Sequence, residues 1–108
     1  MRLDESRFAT LADATLERMA DAIDDSVGDS VDVELQGGIL TLSLSGGGQY
    51  VLNKHGPNRE LWLSSPASGA WHFAWSGEAW VSTREPPAKL GSLLAAELEA
   101  RFGVKIAL

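Results

Sequence analysis

The chain has 108 residues, 44% of them hydrophobic and 22% charged, with a formal net charge of −6 and a sequence pI of about 4.7. That is the size and composition of one globular domain, and its sign argues against nucleic acid or an anionic membrane as partner, both of which need a positive footprint. Cysteine is absent and only two histidines occur, so disulfides, thiolate nucleophiles and Cys-ligated zinc or iron–sulfur centres are excluded.

Charge is unevenly placed. Residues 1–34 hold ten of the fifteen acids against three bases, a net of −7, while residues 35–108 hold six bases and five acids. The first segment, residues 4 to about 26, reads as a helix. Asp4 is its cap, and Phe8, Leu11, Ala12, Thr15, Leu16, Met19, Ile23 and Val27 form one apolar stripe. Gly28 is its stop signal. Asp13, Glu17, Asp21, Asp24 and Asp25 fall on the opposite side, within an arc of roughly 120°. Residues 31–35 alternate apolar and acidic, predicting a strand with Val31, Val33 and Leu35 on the core side and Asp32 and Glu34 in solvent. Further strands are expected at 39–44, 49–53, 59–64, 71–75 and 79–83, joined by short turns. In the fourth, Leu61 and Leu63 share one parity and Glu60 and Trp62 the other, which puts Trp62 on the open sheet face.

A second helix is expected over 88–102, with Leu90, Leu93, Leu94, Leu98 and Phe102 as its stripe. The tail, apolar at Val104, Ile106 and Leu108, should pack back as a cover. Helix, six strands and helix with short connections predict an α+β two-layer sandwich over 1–108. Both helices pack on one face of an antiparallel sheet of about six strands. No run of about 18 apolar residues occurs, and no signal peptide is expected.

Carboxylates are hard ligands suited to Mg, Ca, Mn or iron ions, so the acidic helix face is the first candidate site. It continues through Asp29, Asp32 and Glu34. As a ridge rather than a cage, it should bind weakly and at several points. An EF-hand does not fit: a loop starting at Asp24 has Asp29 at its sixth place and Leu35 at its twelfth. The second candidate is Trp62, because an exposed tryptophan is often an interface anchor. The third is the polar loop from Asn53 to Arg59, which holds His55 and leads into the Trp62 strand. His55 and His72 have no metal-ligand spacing to each other. A nucleophile elbow and a phosphate loop are both missing.

The stretch Asn53-Lys54-His55-Gly56-Pro57-Asn58-Arg59-Glu60-Leu61-Trp62-Leu63-Ser64-Ser65-Pro66, then Ser68-Gly69, resembles the frataxin family, including its bacterial CyaY branch. Trp75-Ser76-Gly77, Trp80-Val81, Leu93 to Leu98, the opening Leu3-Asp4-Glu5 with Leu11-Ala12, and Gly38 to Thr41 carry the same resemblance. It runs from Leu3 to about Leu108 and looks closer to the mitochondrial branch than to the enterobacterial one. It implies weak ferrous and ferric iron binding on a ridge made of Asp13, Glu17, Asp21, Asp24, Asp25, Asp29, Asp32 and Glu34. It also implies a non-enzymatic role in iron–sulfur cluster assembly, with a cysteine desulfurase and a scaffold protein as partners. The scaffold-facing surface carries over to Asn53, Asn58, Arg59 and Trp62, with His55 and His72 at neighbouring positions of the same surface.

The family usually has Gln at the place of His55, Thr or Glu at Gly56, and in its mitochondrial branch a basic residue at His72, so partner affinity should differ here. The tail is shorter than in the animal proteins, which predicts modest stability. The free protein is expected to be monomeric without iron. Its expected location is a bacterial cytoplasm, or the mitochondrial matrix if it is a trimmed form. An iron store or ferroxidase, and an acidic binding module without a metal role, are the alternatives. The first ranks lower because the chain offers no Glu-x-x-His pair.

Overall fold

The computed structural model describes residues 3–108 and orders them as α1 (Glu5–Val27), β1 (Val31–Gln36), β2 (Ile39–Leu44), β3 (Gln49–His55), β4 (Glu60–Ser65), β5 (Gly69–Trp75), β6 (Trp80–Ser82) and α2 (Leu90–Phe102). The six strands form one antiparallel sheet in sequence order, a plain meander. Both helical stripes and one sheet face meet in a single core, so the expected two-layer α+β sandwich is what the chain adopts. No described helix is long and apolar enough to cross a membrane.

Helix α1 begins where sequence chemistry asks it to. Asp4 sits in extended backbone, and its carboxylate accepts from the Arg7 amide at 2.7 Å. This satisfies one of the amides that the first turn leaves unpaired. Phe8, Ala12, Leu16, Met19, Ile23 and Val27 are buried against the sheet. Thr15 is buried among them because its hydroxyl is fully used. It donates to the Leu11 carbonyl at 2.8 Å and accepts from the Trp80 indole at 3.0 Å.

The start of α2 differs from expectation. Ala88 belongs to the strand side: its amide donates to Ser82 Oγ and its carbonyl accepts from the Ser82 amide, both at 2.8 Å. The helix therefore opens two residues later, at Leu90, and it closes on Gly103 in the left-handed conformation that glycine adopts without steric cost. A half-buried polar cluster fixes α2 over the sheet. Glu97 accepts from the hydroxyls of Tyr50 (2.8 Å), Ser65 (2.6 Å) and Ser68 (2.5 Å), and Ser68 accepts from the Trp71 indole at 2.8 Å. Burial of the phenol, and then the Glu97 carboxylate beside it, push the Tyr50 pKa from 10.0 up to about 12.

Two apolar residues on the core side stay partly exposed. Leu35 is 37% exposed although it shares a face with buried Leu40, its cross-strand partner. It lies near the end of edge strand β1, where no further strand covers its flank. Val104 is also 37% exposed, whereas Ile106 is buried and Leu108 packs against the core. The tail seats itself only by its last residues. Its Leu108 carbonyl lies against Gly91 so closely that a Cβ there would collide with it, and Arg18 donates to the same oxygen at 3.4 Å.

Candidate functional site

The acidic residues occupy the outer side of α1 and the sheet edge it overhangs. Asp13, Glu17, Asp21, Asp24, Asp25, Asp29, Asp32 and Glu34 are all exposed. Glu17, Asp21 and Asp24 border a shallow cleft floored by Ala20, Val33 and Leu35. Asp24, Asp25 and Asp29 border a polar depression where α1 turns into β1, and Asp29 with Asp32 line the next one along the edge. Asp24 and Asp29 thus link three adjoining hollows into one acidic track. Within the described residues, no group of three or more His, Asp or Glu side chains converges on a single ion position. The carboxylates can hold a hydrated cation at several places along the track, with oxygen ligands of the type that hard cations take.

Asp13 and Glu34 lie off that track, and Asp32 ends it. Asp13 is ion-paired with Lys54 of β3, whose Nζ lies 2.9 Å from its Oδ1. Helical spacing could not show this neutralising base, because it arrives from the sheet. Lys54 shares parity with buried Tyr50 and Leu52, so it points to the helix side. Asp32 and Glu34 pair with Ser43 and Thr41 and share their face, the one that the helices leave open. They prolong the acidic edge around the rim of the sheet instead of continuing the helix surface.

The second candidate surface lies on that open face, across β3, β4 and β5. Trp62 of β4 stands between His55 and His72. The His55 ring stacks on one side of the indole at 3.7 Å between centroids and 9° between planes. The His72 ring stacks on the other side at 4.1 Å and 7°. The placement follows from register: Trp62 is directly opposite His72 on β5 and Asn53 on β3, and His55 is opposite Glu60. Strand β3 runs on to His55, two residues beyond its predicted end, and this extension brings the imidazole to the indole. A turn over Gly56 to Arg59 joins the strands, closed by the Arg59 amide donating to the Gly56 carbonyl at 3.1 Å. Arg59 takes φ 52°, and its guanidinium donates to the same carbonyl at 3.2 Å. The Asn58 amide donates to His55 Nδ1 at 3.3 Å, which ties the imidazole to the turn.

Two residues of these surfaces carry no sequence-level signal strong enough to assign them a role. Lys54 is one. The other is Glu60, whose Oε1 accepts from the Trp62 indole at 2.8 Å and lies 3.9 Å from His72 Nδ1. Glu60 and Trp62 share a strand face, which the alternation does show; the hydrogen bond depends on rotamers it does not.

Fold and surface together define a class: a two-helix, six-strand α+β sandwich with an acidic edge and a separate aromatic patch on its open sheet face. A frataxin-like domain is matched over residues 1–104. The chain is 42% identical to the mitochondrial frataxin of Arabidopsis thaliana over 98% of its own length and 59% of that protein, so it spans about three-fifths of that relative. It is 36% identical to the iron-sulfur cluster assembly protein CyaY of Neisseria meningitidis, over 77% of this chain and 76% of that one. Among solved structures, frataxin from Psychromonas ingrahamii superposes with a TM-score of 0.84 at 22% identity, covering 96% of both chains. A trimeric frataxin from Saccharomyces cerevisiae, complexed with ferrous iron, superposes with a TM-score of 0.72 at 33% identity, covering 95% of this chain and 89% of that one. The chain belongs to the frataxin family.

Proposed function

We propose that the protein is a non-enzymatic, iron-binding accessory and regulator of iron–sulfur cluster assembly that acts on a complex of cysteine desulfurase and scaffold. The observation that carries this reading is the separation of two unlike surfaces on one small fold. The acidic track follows α1 and the β1 edge, while the Trp62 patch crosses β3–β5 on the opposite side of the sheet. A protein so built can touch two partners at once. The carboxylates hold ferrous or ferric iron weakly and dock on a basic patch of the desulfurase by charge complementarity. Trp62, with Asn53, His55, Asn58, Arg59 and His72 around it, meets the scaffold. Family membership supports the reading, as do a relative named for iron–sulfur cluster assembly and a structural neighbour complexed with ferrous iron.

The test is a desulfurase assay with the cognate scaffold. Adding the protein should change sulfide release and cluster formation, and ferrous iron should modulate the change. Trp62→Ala should abolish the effect while fold and iron binding persist. No change in either rate, with or without iron, would refute the proposal.

A further inference from the structure

Glu60 is placed to do one thing: fix the indole of Trp62. Its Oε1 accepts the indole N–H at 2.8 Å, the side chain is only 16% exposed, and the same oxygen faces His72 Nδ1 at 3.9 Å. The indole is also closed on both flat sides. Ring separations of 3.7 and 4.1 Å at nearly parallel planes are van der Waals contact, so no third group fits between the rings without displacing a histidine. What the indole can turn to a partner is therefore an edge, not a face.

Resting on the reading that this surface docks a partner, we infer that Glu60, His55 and His72 are positioning residues that clamp Trp62 edge-on. This presentation selects a partner surface that meets ring edges with aliphatic groups and carbonyl or carboxylate oxygens. The physical reason is the ring quadrupole. Aromatic edges are electropositive and faces electronegative, so a blocked face cannot receive a cation or a stacking ring, while the exposed edges favour oxygen acceptors. Glu60 directs its carboxylate sideways into the clamp, where it is occupied by the indole N–H.

NMR of the whole protein, free and bound to the cognate scaffold, tests this. In the free protein the ring protons of His55 and His72 should show upfield ring-current shifts. Those shifts should collapse in Glu60→Ala and survive in Glu60→Gln, whose amide oxygen still accepts the indole proton. Scaffold affinity should fall roughly tenfold in Glu60→Ala and in the double variant His55→Ala/His72→Ala, as expected for the loss of an aromatic pair and a hydrogen bond. It should stay near wild type in Glu60→Gln. On binding, the imidazole shifts should persist while the indole edge protons gain contacts to the scaffold. Loss of the imidazole shifts on binding would mean that the partner inserts against the indole face, and the inference would fall. So it would if wild type bound and Glu60→Ala bound equally well. Failure of the wild-type protein itself to bind scaffold would instead overturn the docking reading, and the clamp's role in recognition with it.

Discussion

Glu97 carries the largest share of polar organisation inside this fold. One carboxylate accepts from three hydroxyls supplied by β3, β4 and the turn after it, and so ties α2 to the sheet. Removing it leaves those donors half-buried without a partner. Glu97→Ala should therefore cost about 3 kcal/mol in chemical unfolding, at roughly 1–3 kcal/mol for each group left unsatisfied after relaxation. Tyr50 gives the same cluster a pH signature. The folded state holds the phenol proton more tightly than the unfolded chain, with a pKa near 12 against 10.0. Its contribution to stability is complete below pH 10 and is lost as the pH rises towards 12. Unfolding free energy measured across that alkaline window should fall in wild type and fall less steeply in Tyr50→Phe. None of these partnerships is readable from the sequence. Tyr50, Ser65 and Glu97 are far apart along the chain, and their approach depends on how α2 crosses the strands.

At the scale of elements, α1 is built against its own stability. Its last turn holds Asp24 and Asp25 and no base, the wrong sign for the negative end of a helix dipole. Asp13, Glu17, Asp21 and Asp25 also repeat at four-residue spacing, which sets like charges side by side. Asp25→Asn should raise stability by about 0.5 kcal/mol, read as a higher unfolding midpoint, while weakening iron binding along the track. Unchanged iron binding would remove Asp25 from the proposed site. The tail is the second weak element. Gly91 leaves space for the Leu108 carbonyl, so Gly91→Ala should expel the final residues and cost roughly 1–3 kcal/mol, seen in a melt and in faster amide exchange over Ile106–Leu108.

The helices, the strand order and the acidic stripe were legible because each is a short-range pattern: a 3.6-residue or two-residue period between turn residues. The misplacements share one cause. Leu35 and Val104 satisfy the alternation locally, yet nothing packs over the end of β1 or the start of the tail. Ala88 likewise suits a helix, but Ser82 claims its amide and carbonyl for the strand.

Over the whole molecule the net charge of −6 resolves into an acidic rim and a nearly neutral sheet. Association through the rim should weaken as salt rises, because exposed charges are screened beyond about 8 Å at physiological ionic strength. Association through the Trp62 patch should not. Desulfurase and scaffold binding, each measured against salt, would separate the two surfaces. A tail held by few residues and a helix of clustered acids both point to modest stability, with a melt inside the mesophile range of about 45–65 °C.

The sandwich, its meander, the acidic stripe and the place of Trp62 on the open sheet face follow from periodicity and charge along the chain, so the order of residues alone is enough for them. That Lys54 claims Asp13, and that two histidines and Glu60 surround the indole, emerges only once the strands and the helix are packed together. Those outcomes depend on register and rotamer between separate strands and a helix. No periodicity within one segment records what its neighbours bring.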